Sequence, residues 1–330
     1  LEKKEELISF DFPVELTNDC SIDIPFNLTT KTILSIGSIN TDHYMNFDTL
    51  PNTGRAVFST TSATYVGGKG TNEAIAVTKL GHRAALIGRI GSDVDADHIY
   101  DIIQTYPINA SGVKRSIGSQ TGKAYIFVQK GGDSMISLTS GANQTVTEQD
   151  ILDNERLFIN ANTCLLQTEI PLSAILKATQ LAKKYHATTV LKPSACSELP
   201  VSLLENIDII IPNLDEINDI CPGEGSIEEK AEYLLSLGIQ IVIITLGADG
   251  CYVRTKEIEE YLPAASFTSI DTAGAGDAFI SAFISYRLYD YDILSAAKIA
   301  TYAAGFSTTT QGTVPALIDK NTLESIIWQK

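Results

Sequence analysis

Several short segments of the chain are apolar without alternation. They are Thr32-Ile33-Leu34-Ser35-Ile36-Gly37, Ala84 to Gly88, Thr163 to Gln167, Thr188 to Leu191, Asp208 to Ile211 and Ile239 to Leu246. Short continuous apolar runs predict strands buried on both faces. Between them the spacing becomes helical. Gly70 to Leu80 places Ala74, Ile75, Val77 and Leu80 on one face and closes at Gly81. Ser173 to Lys184, Ile227 to Leu237, Gly276 to Leu288, Asp292 to Ser307 and Lys320 to Trp328 also read as helices. Strand–helix alternation predicts an α/β fold, with a mostly parallel central sheet covered by helices on both faces.

Two regions break that rhythm. His43 to Val66 is rich in Thr, Tyr, Phe and Val and is interrupted by Pro51-Asn52-Thr53-Gly54. Lys123 to Val128 and Ser134 to Leu138 flank Lys130-Gly131-Gly132-Asp133, a hairpin signal. Such polar, aromatic strands do not suit a buried parallel sheet. They predict a small β-sheet lid, formed by about 41–66 and 119–140, on a domain spanning 31–330. Residues 1–30, with Pro13, Pro25 and no periodicity, read as an extension or linker.

Composition narrows the function classes. With 44% apolar and 19% charged residues, the chain is not a disordered one. Its 40 Asp and Glu against 24 Lys and Arg give a net charge of -16, which repels phosphate backbones and anionic lipid. Neither nucleic acid nor a membrane is an expected partner, whereas a small anion can still bind a locally positive site. No stretch approaches ~18 uninterrupted apolar residues, so no transmembrane helix is predicted. Leu1 in place of an initiator Met predicts a fragment or a processed form, and the charged start, Leu1 to Glu6, lacks a signal-peptide core. The five cysteines form no C-x-x-C pair, which predicts reduced thiols, a cytoplasmic protein and no zinc site.

The common nucleotide motifs fail. Gly68-Lys69 lacks the spacing of a P-loop, and Gly88-Arg89-Ile90-Gly91 lacks that of a dinucleotide fold. The informative segment is Asp271-Thr272-Ala273-Gly274-Ala275-Gly276-Asp277, directly before an apolar helix. Small residues let backbone N–H groups converge at the first helical turn, where the helix dipole favours an anion. Asp277 would repel phosphate as a ligand. It suits a base that takes the proton of a hydroxyl attacking phosphate. The plainer possibility is a helix N-cap. Asn40 and Asp42 follow the first strand, and Gly67-Gly68-Lys69-Gly70-Thr71-Asn72 opens a helix. Asn and Asp side chains hydrogen-bond hydroxyls, which suits a polyol; ordinary turn chemistry explains each segment alone.

Together these segments resemble the ribokinase family, the PfkB carbohydrate kinases, over roughly residues 31–329. Gly67 to Asn72 is similar to the family's N-terminal glycine signature, and Asp271 to Asp277 to its D-T-x-G-A-G-D signature. Pro212-Asn213-Leu214-Asp215-Glu216 is similar to its N-x-x-E motif, and Thr245-Leu246-Gly247-Ala248-Asp249-Gly250 to its nucleotide loop. Leu165-Leu166-Gln167-Thr168-Glu169 and Gly141-Ala142-Asn143 match further landmarks. Ser38 to Asp42 and the G-G-K-G form lie closest to the ribokinase branch.

The resemblance implies transfer of the γ-phosphate of ATP to a primary hydroxyl, O5 of ribose, with Mg2+ beside the phosphates. Asp277 would be the base and Gly274, Ala275 and Gly276 the anion hole. Asn40, Asp42, Gly68, Lys69, Asn72 and Glu169 would hold the sugar. Asn213, Glu216, Thr245, Gly247 and Gly250 would serve the nucleotide. A K+ ion would sit on Asp271 and the carbonyls of Ala273, Ser307, Thr310 and Gly312. Ribokinases pair through their lids, which implies a homodimer.

Two departures stand out. Lys192-Pro193-Ser194-Ala195 replaces the N-P-A-P usual in ribokinases. A lysine there either reaches a phosphate or a different substrate or, as the plain expectation, is solvated. The segment Gln311 to Pro315 is shorter than the usual loop and removes one expected ligand of the monovalent ion. Competing functions are a family kinase for a nucleoside, fructose, a phosphosugar or a keto-sugar acid, and a sugar-sensing regulator without turnover. Loss of the base would mark the regulator, and Asp277 is present.

Overall fold

The structure, a computed structural model, describes residues 31–130, 134–221 and 223–328. The expected N-terminal extension and the turn at 131–133 lie outside the described residues. Among the described residues, thirteen strands form two sheets. The first four are β1 (Thr32–Ile36), β2 (Asn40–Phe47), β3 (Thr61–Gly67) and β4 (Arg83–Ile90). Next come β5 (Ile108–Arg115), β6 (Gly122–Gln129), β7 (Ser134–Thr139), β8 (Thr163–Gln167) and β9 (Thr188–Lys192). The last are β10 (Ile209–Ile210), β11 (Ile241–Thr245), β12 (Cys251–Arg254) and β13 (Glu259–Leu262).

The large sheet has the order β13-β12-β11-β10-β9-β8-β1-β4-β5. It is parallel from β11 to β5, and β12 and β13 add an antiparallel edge. Successive side chains of a strand point to opposite faces, so each face needs its own apolar layer. Ile33, Leu165 and Ile243 join Phe279, Phe283 and Ile299 on one face. Leu34, Leu166 and Ile244 join Ile175, Ala178 and Leu234 on the other. Double coverage explains the continuous apolar runs. The helices Lys69–Lys79, Ala275–Leu288 and Ile293–Ser307 lie on the first side, and Leu172–Lys184 and Ile227–Ser236 on the second.

The small sheet has the order β3-β2-β6-β7. Its register sets Asp42 opposite Tyr65 and Ala124. Asp42, Tyr44, Tyr65 and Ile126 therefore share one face, and Tyr44 meets Tyr65 edge-on at 5.3 Å. The aromatics of this sheet are largely withdrawn from solvent. Tyr44 and Phe47 are buried, and the apolar surface left open is aliphatic: Met135, Ile136 and Leu138 of β7. Phe58, on the loop between β2 and β3, is the exposed aromatic. Among the described residues, no helix is long and apolar enough to cross a membrane.

Candidate active site

Open α/β sheets bind ligands beyond the carboxyl ends of their strands. Here β1 runs into Ser38 and Asn40, β8 into Thr168 and Glu169, and β9 ends on Lys192. The glycine segment leads from β3 into the helix Lys69–Lys79. Gly68 has φ +86°, and a Cβ there would lie 2.6 Å from Asn40 N and Ser38 O. A Cβ on Gly67 would lie 2.0 Å from an Asp42 oxygen. Both glycines are thus required for the chain to pass this close to the polar side chains.

Gly274, left-handed at φ 79°, caps the helix Ala275–Leu288. Asp277 is therefore not the N-cap; it is the third residue of the helix, and its carboxylate turns inward. It is 2% exposed and accepts a 2.7 Å hydrogen bond from Asn72 Nδ2. Lys69 Nζ lies 3.9 Å from Asp277 and 3.7 Å from Glu169. Ser38 Oγ donates to Glu169 at 2.5 Å and accepts from Lys69 N at 3.0 Å. Asn143 Nδ2 donates to Asn40 Oδ1 at 2.7 Å. Thr313 Oγ1 lies 3.3 Å from Asp42 Oδ2 and 3.2 Å from Asn72 Oδ1. The structure thus brings Asn40, Asp42, Gly68, Lys69, Asn72, Glu169 and Asp277 into one cluster, in which Lys69 and Glu169 are half-buried and the others buried.

Its electrostatics are tense. Burial pushes the Asp42 carboxyl up to about 7, and the nearby charges of Asp277 and Glu169 add to the shift. Burial also raises Asp277, against the pull of Lys69 and Asn72. Glu73, wholly buried and hydrogen-bonded by Gln167, is held well above the usual carboxylate range by burial and by Asp277. Burial alone would lower Lys69, but Asp277 and Glu169 outweigh it and raise its pKa. Carboxylates kept from water in this way gain from any ligand that brings hydroxyl donors.

The neighbouring space is different. A cavity of about 490 Å³ is lined by Asn213, Thr245, Gly247, Gly250, Ala275 and Gly276, with Phe267 and Phe279 among its other walls. The first-turn N–H groups of a helix have no intrahelical acceptor, so the Gly274–Gly276 turn offers donors at this cavity's edge. Asn213 and Glu216 cap their helix reciprocally: Glu216 N donates to Asn213 Oδ1, and Asn213 N to Glu216 Oε2, each at 2.7 Å. Lys192 corrects the expectation of a solvated side chain. It is 6% exposed and ion-paired with Glu216.

Of the proposed ion ligands, Ala273 and Gly312 meet Asp271 directly. Its carboxylate accepts from Ala273 N and Gly312 N, each at 3.0 Å, and joins the signature turn to the loop after the helix Ile293–Ser307. It is buried and, among the described residues, no Lys, Arg or His pairs with it. Ser307 and Gly312 are buried nearby in sequence, whereas Thr310 is exposed. A buried carboxylate without a cationic side-chain partner is a chemically suitable anchor for a hard cation.

Sequence reasoning missed several residues. Thr313 bridges Asp42 and Asn72 from a distant segment, and no local pattern marks it. Thr301, Ala304, Gly305 and Thr308 line the large cavity at i, i+3, i+4 and i+7. A face of small residues on an otherwise apolar helix was a legible signal for that wall.

Comparison with known proteins gives one answer. Residues 30–320 match the pfkB family of carbohydrate kinases. The ribokinase of Staphylococcus aureus is 35% identical over 261 residues, which cover 78% of this chain and 86% of that protein. The ribokinase of Haemophilus influenzae is 32% identical, covering 86% and 94%. A structure of Arabidopsis thaliana ribokinase complexed with ribose and ATP superposes with a TM-score of 0.82 at 26% identity, covering 93% of this chain and all of that one.

Proposed function

Because this chain belongs to the pfkB family of carbohydrate kinases, and is an ATP-dependent sugar kinase, we propose that its acceptor is O5 of ribose and that Asp277 is the base. The observation that carries this reading is the Asp277 carboxylate, buried at a helix start and faced by Asn72, Lys69 and Asp42. Asp277 takes the proton from the attacking hydroxyl as the new O–P bond forms. The bond between the γ-phosphorus and the bridging oxygen breaks, and ADP leaves. The raised Asp277 pKa makes it a better proton acceptor than a free aspartate. Backbone N–H groups of Gly274, Ala275 and Gly276 hold the charge that develops on the moving phosphoryl group.

Asn40, Asp42, Gly68, Lys69, Asn72 and Glu169 bind the sugar. Two carboxylates suit a neutral polyol and disfavour a substituent carrying phosphate or carboxylate. Asn213, Glu216, Thr245, Gly247 and Gly250 serve the nucleotide, whose phosphates bring Mg2+ with them. Asp271 and the carbonyls of Ala273, Ser307, Thr310 and Gly312 hold K+, which supplies a fixed positive charge near the anion hole. The protein acts in the cytoplasm as a homodimer. The exposed Met135, Ile136 and Leu138 on the edge strand β7 support pairing through the small sheet.

The test is ADP release over ribose, deoxyribose, fructose, adenosine and ketodeoxygluconate, with K+ and Na+ compared on the best acceptor. Ribose should lead in kcat/KM; a higher value for any other acceptor sinks the ribose assignment. A monomer mass by light scattering, unchanged by sugar and nucleotide, would sink the dimer alone.

A further inference from the structure

Lys192 stands at the end of β9, between the two halves of the site, and its surroundings are unusual for a lysine. Lysines are almost never fully buried unless paired, and this one is 6% exposed. An ammonium has three N–H donors. Among the described residues, Glu216 Oε2 is its one hydrogen-bond acceptor, and that oxygen also accepts from Asn213 N. The remaining donors are buried and unspent. On the open side lies Gly276. A Cβ on Gly276 would find Lys192 Cε at 3.8 Å and Nζ at 3.9 Å, with no other neighbour within 4 Å. The ammonium thus borders the space immediately above the first turn of the helix Ala275–Leu288, where Asp277 also begins.

Charge accounting gives the space a ligand. Glu169, Glu216, Asp277 and Glu73 crowd around Lys69, and Asp277 also acts on Lys192. With Glu73 counted as protonated, three carboxylates and two ammoniums still leave the pocket negative, yet a polyphosphate has to enter it. Backbone N–H groups alone offset little of that repulsion. A cation with free donors on the phosphate side offsets much more.

We propose that the Lys192 ammonium is a resident cation for the nucleotide's terminal phosphates and holds the transferring phosphoryl group against the Gly274–Gly276 turn. This role rests on the sugar-kinase reading and adds to it a residue that the family motifs do not supply. Glu216 keeps the stem of Lys192 in place between turnovers and releases part of its hold when phosphate oxygens arrive. During transfer, Lys192 neither gains nor loses a proton; it follows the charge as the phosphoryl group leaves ADP.

Isothermal titration with ADP and with adenosine, both in EDTA, isolates this contact from any divalent ion. Wild type should bind ADP more tightly than adenosine. Lys192→Met should weaken ADP by about 10- to 100-fold, the usual worth of a hydrogen bond to a charged group, and leave adenosine within about threefold. Should Lys192→Met fail to fold by circular dichroism, Lys192→Gln keeps a polar stem without the charge and should show the same loss. Unchanged ADP affinity in a folded variant overturns the assignment, as does an equal loss of ADP and adenosine. Wild type that binds neither nucleotide overturns the kinase reading itself, and the role of Lys192 with it.

Discussion

The two halves of the active site solve recognition by opposite means. In the half proposed for the sugar, Asp42, Glu73 and Asp277 are chargeable groups packed almost out of reach of water, with the half-buried Lys69 beside them. In the half proposed for the nucleotide, the walls are Thr301, Ala304, Gly305 and Thr308, together with the turn at Gly276. One half stores electrostatic tension that hydroxyl donors relieve. The other offers room, apolar surface and backbone donors. The difference teaches that a small polyol needs directional charge to be held at all, whereas a nucleotide brings its own charge and a large flat ring.

The contrast can be tested from its sharpest point outward. Asp277→Asn keeps the size of the side chain but removes its basicity. It should lower kcat by about 10²–10⁴-fold while sugar binding holds; a near-normal kcat would remove Asp277 from the chemistry. Asp42→Ala should raise KM for the best sugar roughly 10- to 100-fold, because hydrogen bonds to a charged group are lost. An unmoved KM would place Asp42 outside the sugar pocket. Ala304→Leu overfills the opposite half and should raise KM for ATP about tenfold with KM for sugar unchanged. A change in the sugar's KM instead would mean that the halves are not separable.

The smallest effect concerns stability. Glu73 Oε1 and Gln167 Oε1 are both buried without a partner. The fold favours the protonated form of Glu73. Its contribution is therefore full below the ~4.3 of a free glutamate and is lost as pH rises. Glu73→Gln supplies a permanent donor and no charge. It should raise Tm more at pH 8 than at pH 5, by roughly 2–4 °C per kcal/mol regained. An equal change at both pH values would show that Glu73 does not titrate within the fold.

What the sequence disclosed follows a physical line. β8 and the helix Lys320–Trp328 match their predicted bounds, because a run buried on both faces and a single amphipathic stripe are both local signals. The strands β5 and β13 went unseen. Ile108-Asn109-Ala110-Ser111 and Glu259-Glu260-Tyr261-Leu262 mix polar and apolar positions because each lies at a sheet edge. Asp277 and the Gly67–Asn72 segment were legible because close backbone approach and buried charge demand particular residue types in a row. The pairing of Lys192 with Glu216 was not legible. It depends on β9 ending beside a helix that begins 22 residues later, a matter of tertiary placement.

Thr313 carries a consequence for how the protein comes into being. Its hydroxyl meets Asp42 across 271 positions of chain, and Asn72 meets Asp277 across 205. Contacts this distant form late, after the sheet and its helices have nucleated. A nascent chain emerging from the ribosome can assemble β1, β4 and β8 well before the pocket between Asp42 and Asn72 closes. Until Thr313 has been synthesised and folded back, its contacts with Asp42 and Asn72 cannot form.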